Sequence, residues 1–576
     1  MRHRNQQRTR RSGSRKASIL AGAIAALLCS AAAAQDAPQQ LPAAPDSLDS
    51  APATAAAAAD AAEQPQQLPA APQAQASFVL RDVVFKGVTM FDPAELRGLV
   101  ADSIGRTVAF ADLQALTQRV TSHYHRHGYI LSQAVLPVQE VRDGVVEISV
   151  IEGRLNSVKV EFDPATPIAR ERIERMVQPL STGGALDGPR YERTMLLMAD
   201  LPGVRPQSTL ETGRQIGSSD LVVEVAPTDR RVRYSVELDN HGTEEAGRYR
   251  LGATMRVASP FRIGDNLDLR LLASDEKILE GEGTLFGRAS YEMPLGHNGT
   301  RLGVGVSRVS YSLGGEFEIL DATGVARIYD VGVTHPLLRQ RGQNLYLRGY
   351  VDRKDLTDEL RAVDFSADKR AQGVGLSWSW ERRDNLGGGG YWSSGGALYF
   401  GELDLLNAAI REVDAGPFGR NTEGSFRKLT TQFARLQRLT DRLSLRAAVG
   451  VQLTDGNLDA SEKLSLGGPR AVRAYPSSEV LVDEGAIANL ELRWAMNQAF
   501  SGFVFHDIAT GDINHEPGPF DLDNSRTIRG SGLGLSYGAR SGLSGVLTVA
   551  WRGSEPAVTD GGDRDPRVFF HLMKSF

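Results

Sequence analysis

Alternation of apolar and polar side chains along many short segments most constrains how this chain can fold. In the clearest segment, charged or small residues separate five apolar ones: Tyr249, Leu251, Ala253, Met255 and Val257. The pattern recurs in Leu267–Ala273, Leu345–Val351, Leu443–Val451, Leu533–Ala539 and Leu547–Trp551. Because successive side chains of a strand point to opposite faces, each segment predicts a strand with one apolar and one polar face.

Two architectures would accommodate such strands, a transmembrane barrel and a soluble sandwich. The series runs from Arg230 to Phe576 without a second class of element, which is unusual for a sandwich. Strands of roughly ten residues, apolar outside and polar inside, fit a transmembrane barrel with a wet interior. After residue 34, no apolar run is long enough to cross a bilayer as a helix.

The amino terminus has the pattern of a secretory signal. Residues 1–16 are rich in arginine, and residues 17–34 are largely apolar and end in a run of alanines at Ala34. We predict a signal peptide over residues 1–34, with a retained membrane anchor as the alternative. The chain's 1 cysteine, Cys29, lies in this segment, so we expect a mature chain without disulfides.

A linker and two small units precede the predicted barrel. Residues 35–77 are rich in Ala, Pro and Gln, and Thr54–Glu63 within them predicts either a short helix or an unstructured tether. The first unit, 78–153, is predicted to contain a strand, two helices and two further strands, in that order: Phe78–Phe85, Pro93–Ser103, Ala111–His127, Tyr129–Val135 and Val145–Ile151. The second unit, 154–228, is predicted to contain the same series of strand, helix, helix, strand and strand: Asn156–Phe162, Ile168–Pro179, Gly188–Leu201, Val204–Glu211 and Asp220–Ala226. Both are β-α-α-β-β patterns, whose open sheet edge can accept an extended peptide; a mere spacer is the alternative.

Motifs occur in the first unit and in the barrel region. The first unit contains Tyr124, Gly128, Tyr129, Pro137, Gly144, Glu152 and Gly153. In the barrel region, a loop of Gly, Pro and apolar residues carries two arginines and includes Val472, Arg473, Ala474, Tyr475 and Pro476. A later strand carries Phe505, Asp507 and Ala509. The last strand presents Val568, Phe570, Leu572 and Phe576 on one face, interrupted by Lys574.

Together these features resemble the outer-membrane transporters of two-partner secretion, the haemolysin secretion/activation type. The resemblance implies a β-barrel of 16 antiparallel strands over residues 229–576, preceded by two periplasmic α+β POTRA domains. It implies a location in the outer membrane of a Gram-negative bacterium, among its lipids. The last-strand residues Phe570, Leu572 and Phe576 would be the signal read by the barrel-assembly machinery.

The resemblance also implies a mechanism. An unfolded exoprotein of the adhesin, cytolysin or contact-dependent toxin type would dock on the POTRA domains by its amino-terminal secretion region and cross the barrel. The sixth extracellular loop would fold back into the barrel and pair Arg473 with Asp507; alternatively, Arg473 lines a hydrated pore. Ala474 and Ala509 replace glycines of the family motifs, which leaves the local backbone open. Thr54–Glu63 would be a helix that plugs the pore.

Several function classes find no support in the sequence. A net charge of -5 gives no nucleic-acid footprint, and no phosphate-binding loop, catalytic constellation or cofactor motif is present. We therefore expect neither an enzyme nor a cofactor. His123 and His127 have the spacing of a helical metal pair, but no third ligand is evident, and we interpret them as a solvated helix face. An outer-membrane assembly insertase remains the alternative function, although it usually carries more POTRA units.

Overall fold

The computed structural model describes residues 77–576, with gaps at 181–183, 216, 275–282, 478, 520, 522 and 560–563. The predicted signal peptide and the proposed plug helix Thr54–Glu63 lie outside these residues. Within the described part of the chain, no helix is long and apolar enough to cross a membrane.

The first unit is a three-stranded sheet covered by two helices. Its elements are β1 (Phe78–Val79), β2 (Asp82–Lys86), α1 (Pro93–Val100), β3 (Thr107–Val108), α2 (Phe110–Arg126), β4 (Gln133–Val135) and β5 (Val145–Ile151). Strand β5 lies between parallel β2 and antiparallel β4, while β1 and β3 form a small separate pair. Helix α1 begins at Pro93 because Asp92 caps it, accepting a hydrogen bond from the Ala94 amide at 2.8 Å.

The second unit repeats this plan. Its elements are β6 (Arg154–Phe162), α3 (Arg170–Val177), α4 (Gly188–Ala199), β7 (Val204–Thr212) and β8 (Ser218–Pro227). Strand β8 is central, with parallel β6 on one side and antiparallel β7 on the other. The apolar faces of α3 and α4 pack on this sheet, and Ile173, Met198 and Leu221 are almost completely buried between them.

Sixteen antiparallel strands of the described residues close into a barrel, as the family resemblance implies. The first eight are β9 (Val232–Asp239), β10 (Arg250–Ala258), β11 (Asn266–Ser274), β12 (Gly283–Pro294), β13 (Arg301–Ser312), β14 (Ala322–Arg339), β15 (Gln343–Leu360) and β16 (Phe365–Asp384). Then come β17 (Gly390–Leu405), the loop helix α5 (Ala408–Asp414), β18 (Gly424–Arg438) and β19 (Leu443–Thr454). The loop hairpin strands β20 (Leu464–Ser465) and β21 (Leu481–Val482) lie outside the barrel wall. The wall ends with β22 (Glu484–Ala495), β23 (Phe500–Asp512), β24 (Ser525–Gly538), β25 (Leu543–Arg552) and β26 (Arg567–Ser575).

Alternation along each strand separates the bilayer from the barrel interior. On β23, Val504 and Ile508 are exposed on the outer surface, whereas Phe503, Phe505 and Ala509 are buried on the inner side. The predicted strand length of roughly ten residues is wrong for β14 to β17, which have 16 to 20 residues. Bilayer thickness does not limit them, because a hydrogen-bonded hairpin can continue into water once it leaves the membrane.

The last strand closes the barrel against the first. Strand β26 pairs with β9 from His571 opposite Asp239 to Ser575 opposite Ser235. The terminal Phe576 donates its amide to the Tyr234 carbonyl at 2.9 Å, and the two rings stack. Lys574, which interrupts the apolar face, donates its amine to the Ser541 carbonyl in a periplasmic turn. A long lysine side chain can thus occupy this stripe because its charged end reaches the membrane surface.

The second unit rests directly on the turns at one end of the barrel. Arg339, at the end of β14, makes a bidentate pair with Asp200 at the end of α4, with nitrogen to oxygen distances of 2.8 and 2.7 Å. Arg193 donates to the Pro336 carbonyl at 2.7 Å. Arg339 is largely buried, so this contact fixes the second unit to the mouth of the barrel.

We predict that Arg339→Gln loosens this attachment. A charge-assisted, bidentate pair contributes about 1.5–3 kcal/mol, so protease cleavage between the second unit and the barrel should become about tenfold faster. Arg341→Gln is the matched control, because only the backbone amide of Arg341 contacts the second unit, at Glu192. Equal cleavage rates in the two variants, with the barrel intact by heat modifiability, would contradict the prediction.

Candidate functional site

The loop between β19 and β22 folds back into the barrel. Residues 455–483, here called loop 6, form the sixth connection on the side opposite the two small units. At its tip, Leu466, Val472 and Tyr475 are fully buried. They pack on inward-facing wall residues Phe503, Phe505, Ile528 and Ala550 of β23, β24 and β25. The tip of loop 6 therefore lies inside the barrel.

Local hydrogen bonds give the tip its shape. The stem is the β20–β21 hairpin, extended by a bond from the Leu466 amide to the Val480 carbonyl at 2.9 Å. Val472 then donates to Leu466 at 3.1 Å, and Tyr475 to Val472 at 3.1 Å. Gly468 has a φ of 109°, a conformation that favours glycine. These turns project the side chain of residue 473 away from the stem and toward the wall.

The structure places Arg473 against Asp507, here called the loop-6 pair. Arg473 Nε lies 2.8 Å from Asp507 Oδ2, and Nη2 lies 2.7 Å from Oδ1. The Arg473 amide also donates to Oδ2 at 3.2 Å. Asp507 is completely buried and Arg473 is 8% exposed. The pair is thus bidentate and shielded from water, the geometry for which a guanidinium is suited.

Neighbouring wall residues complete the surroundings of the pair. Asn489 lies opposite Asp507 in the strand register and donates to Asp507 Oδ1 at 2.8 Å and to the Ala471 carbonyl at 2.9 Å. Glu491 accepts from Arg473 Nη1 at 3.0 Å. The guanidinium carbon lies 3.6 Å from the centre of the Phe505 ring, so the motif phenylalanine stacks on the arginine. Sequence reasoning missed Asn489 and Glu491, since only the strand register brings β22 beside Asp507.

The two motif alanines have a simple structural explanation. Neither Ala474 nor Ala509 adopts a positive φ, so the backbone does not require glycine at either position. Both are buried in the contact between loop and wall. The Ala474 methyl faces Gly530 of β24, where an added Cβ would lie only 2.4 Å from the Ala474 Cβ. The space for the methyl group of Ala474 thus comes from a glycine on the wall.

We predict that Gly530→Ala displaces the loop tip, because two methyl groups cannot share this space. Overpacking of this kind costs about 1–3 kcal/mol, so protease cleavage within loop 6 should increase in folded protein. Adding Ala474→Gly should restore protection, because it removes the opposing methyl. Failure of the double variant to recover would contradict this account of the alanine.

The limb of loop 6 that follows the motif is bound to other extracellular loops. Tyr475 donates its hydroxyl to the Glu555 carbonyl at 2.8 Å, and Ser477 donates to the His241 carbonyl at 2.7 Å. The buried Glu479 carboxylate accepts from the amides of Val558 at 2.7 Å and Thr559 at 3.1 Å. Pro476 follows the motif tyrosine in a turn, with its carbonyl accepting from the Glu479 amide at 3.3 Å.

The limb that precedes the motif is bound by ion pairs to a second part of the wall, formed by β15, β16 and β18. Buried Glu462 is paired with Lys354 of β15 and, at 2.6 Å, with Lys428 of β18. Asp459 is paired with Lys369 of β16 at 2.9 Å. Loop 6 is therefore held by ion pairs to two parts of the barrel wall, one on β15, β16 and β18 and one on β22 and β23. Lysines on polar strand faces were the available signal for this network, but the sequence does not say which carboxylates they meet.

The motif of the first unit forms a second cluster around Glu152. Its carboxylate accepts from the amides of Thr89 at 2.7 Å and Met90 at 2.9 Å, and from the Tyr124 hydroxyl at 2.9 Å. Burial alone would raise the pKa of Glu152, but the hydrogen bonds from Thr89, Met90 and Tyr124 lower it below the ordinary value. The Tyr124 pKa is raised by burial and by its bond to Glu152.

The remaining residues of this motif shape the joint between the two units. Gly128 has a φ of 92°, and an added Cβ would lie 3.0 Å from Pro189 of the second unit. Tyr129 forms a bridge with Asp187, and Gly153 packs against Leu131 so closely that a Cβ would not fit. Pro137 is half-buried in the connection between β4 and β5. The motif is therefore structural, serving the core of the first unit and its joint.

We predict that Glu152→Gln destabilises the first unit by about 1.5–3 kcal/mol, because it weakens charge-assisted hydrogen bonds. Since the folded pKa lies below the ordinary value of 4.5, the stabilisation is fully present above that pH and is lost as pH falls through the folded pKa. Hydrogen exchange of residues 78–153 should therefore show a smaller acid-induced loss of protection in the variant. Identical pH profiles would contradict this role.

Only part of the histidine pair matches the predicted solvated helix face. His127 is exposed, but His123 is buried and contacts the rings of Phe91 and His127. The side of α2 that faces Phe91 is covered by α1 and the loop before it. The helical spacing of the histidines alone does not show this packing. The structure also brings Glu95 of α1 beside both histidines.

Two family models match the chain. The model described as haemolysin secretion/activation protein ShlB/FhaC/HecB matches residues 217–537. The model described as POTRA domain, ShlB-type, matches residues 78–153. The first match includes loop 6 and both members of the loop-6 pair, and the second includes the whole cluster around Glu152.

Curated relatives are similar to this chain in sequence, and solved structures are similar to it in fold. The chain is 25% identical over 496 residues to the heme/hemopexin transporter protein HuxB of Haemophilus influenzae strain 86-028NP, covering 84% of each chain. It is 25% identical over 422 residues to the outer membrane transporter CdiB of Escherichia coli strain 536, covering 73% of this chain and 69% of the relative.

The fold is similar to that of the solved CdiB from Escherichia coli, with a TM-score of 0.65 at 22% identity, covering 89% of this chain and 93% of that chain. BamA from Haemophilus ducreyi lacking POTRA domains 1–3 has a TM-score of 0.52 at 14% identity, covering 87% of this chain and 100% of that chain.

Proposed function

The chain belongs to the haemolysin secretion/activation family of the ShlB/FhaC/HecB type, and on that premise we propose that loop 6 is the movable element that opens its barrel to an exported polypeptide. The protein is an outer-membrane transporter of two-partner secretion, with its POTRA domains in the periplasm. Its partner is a secreted exoprotein. The support for the insertase alternative is a likeness of fold to BamA, which covers 87% of this chain at 14% identity.

One observation carries the proposal: loop 6 lies in the barrel interior and is held to two parts of the wall by buried ion pairs. A polypeptide entering from the periplasm would meet this loop. Charge pairs suit a movable contact, because each charged group that leaves its partner can be hydrated in a widening aqueous lumen. We infer that the incoming chain displaces the tip from Asp507 and that the pair forms again after export.

We place cargo docking on the second POTRA domain. Its edge strand β7, nine residues long, is paired only with β8 among the described strands. An edge strand offers a row of main-chain donors and acceptors, to which an extended segment can add as a further strand. In the first domain the corresponding edge, β4, has only three residues. The longer edge also lies on the domain that contacts the barrel mouth.

The cargo itself would be a large exoprotein whose amino-terminal secretion region binds this edge. The relatives are named for different tasks, one as a heme/hemopexin transporter and one as an outer membrane transporter. An adhesin, a cytolysin or a contact-dependent toxin is the class we expect here, encoded beside this chain. We further propose that transport involves no covalent chemistry or cofactor, and that folding of the cargo outside the cell drives it.

Two further partners follow from the barrel surface. Exposed apolar residues such as Leu533 and Val504 face outward and would contact the lipids of the outer membrane. The apolar face of β26, with Phe570, Leu572 and Phe576, would be read by the barrel-assembly machinery. Strand β26 pairs with β9 and so closes the barrel, which makes it a suitable strand to be recognised during assembly.

We predict that Arg473→Ala reduces secretion of the neighbouring exoprotein at least about tenfold, because the loop tip loses a buried contact worth about 3–5 kcal/mol and no longer returns to Asp507 after export. The measurement is exoprotein in the medium of cells that lack the chromosomal copy and carry each variant. Arg470→Ala is the matched control, since Arg470 lies in the same loop but is exposed. Secretion at the control level from normally inserted Arg473→Ala would contradict the proposal.

A further inference from the structure

A cluster of metal-ligating side chains lies in the first POTRA domain, away from the barrel. Glu95, near the start of α1, is beside His123 and His127 at the end of α2. The ligand atoms of the three residues lie within 4.8 Å of one another. We propose that these residues bind a divalent transition metal of the zinc class, a site that goes beyond the transport function.

The state of His123 is the first argument for a ligand. Its Nε2 atom lies 3.0 Å from Glu95 Oε1, which is an ion-pair distance, yet this buried nitrogen makes no hydrogen bond. Buried ring nitrogens normally have a partner. The two ligands of one tetrahedral zinc ion are separated by about 3.3 Å, so the observed distance is close to that of two atoms sharing a cation.

The orientation of His127 is the second argument. Its Nδ1 atom lies 2.9 Å from the His123 carbonyl, which accepts the ring proton. This bond leaves the Nε2 lone pair of the neutral imidazole available to a metal. Metal-binding histidines typically donate their other ring nitrogen to a carbonyl or carboxylate in this way. The centre of the Phe91 ring lies 4.8 Å from that of the His123 ring and 5.1 Å from that of the His127 ring, so Phe91 restricts the rotation of both imidazoles.

The ligand chemistry selects the class of metal. Two imidazoles and a carboxylate suit zinc, nickel or copper, whereas calcium and magnesium prefer oxygen ligands throughout. Three protein ligands leave a fourth tetrahedral position for water. His127 and Glu95 are both exposed, so an ion can reach the site from solvent.

The position of the cluster suggests what the metal does. His127 is followed by Gly128, whose carbonyl accepts a hydrogen bond from the Gly188 amide of the second domain at 2.8 Å. A metal bound to Glu95 and to both histidines would fix α1 to the end of α2. It would thereby restrain the joint through which the two POTRA domains are held.

Zinc binding to the full-length protein in detergent, without a polyhistidine tag, tests the site. We expect one zinc ion per chain by calorimetry, and at least tenfold weaker binding in Glu95→Gln and in His127→Ala, both changes of exposed residues. His125→Gln is the matched control, because His125 lies on α2 outside the cluster. Zinc bound below stoichiometric amounts by the parent protein, or equally well by His127→Ala, would overturn the site.

Cobalt and hydrogen exchange provide independent readouts. Cobalt should give the visible absorption of a tetrahedral ion with the parent protein and with His125→Gln, but not with His127→Ala. Zinc should slow hydrogen exchange in α1 and at Gly188 in the parent protein and leave His127→Ala unchanged. Tight binding without slower exchange at these amides would contradict the restraint on the joint. Secretion is not the readout, so the result does not depend on the proposed transport mechanism.

Discussion

The buried pair of Arg473 and Asp507 is the interaction on which the arrangement of the barrel interior depends. Removing a guanidinium from water costs several kcal/mol, roughly, unless hydrogen bonds and an opposite charge offset it. Asp507 and Glu491 supply the charge, and the Phe505 ring supplies a face on which the guanidinium lies. The apolar tip of loop 6 is consequently held against β23 and β24. A loop that would be flexible in water therefore becomes part of the barrel interior.

The same physical principle recurs away from the pair, with different consequences. Glu462 and Asp459 are paired with lysines of β18 and β16, so that loop 6 has charged contacts to a second part of the wall. Arg339 and Asp200 join the second POTRA domain to the barrel mouth. Breaking a buried ion pair is costly because it leaves a charge uncompensated, so each pair disfavours other arrangements of its two partners. Here they determine where the loop and the second POTRA domain lie relative to the barrel wall.

Much of the fold could be predicted from the sequence, because period-two alternation and turn residues are local signals. The alternation at Tyr249–Val257 and at Leu443–Val451 marked strands that the structure contains. The length of β16 was not predictable in this way, since pairing with β15 and β17 extends it beyond the bilayer. Asn489, Gly530 and Glu95 also lay beyond sequence reasoning, because each acts through a residue far away in the chain. The family resemblance, rather than any local pattern, suggested that Arg473 meets Asp507.

The accessibility of one cysteine tests most directly whether the loop-6 pair holds the tip inside the barrel. Ala471 is buried next to the pair, so Ala471→Cys reports on the tip of loop 6. Val413 is exposed on helix α5, so Val413→Cys serves as the accessible reference. We predict slow labelling of residue 471 by a membrane-impermeant maleimide in cells, and labelling at least about tenfold faster after Arg473→Ala, as loss of 1.4 kcal/mol or more would give. Equally slow labelling with and without Arg473, at unchanged labelling of residue 413, would contradict the account.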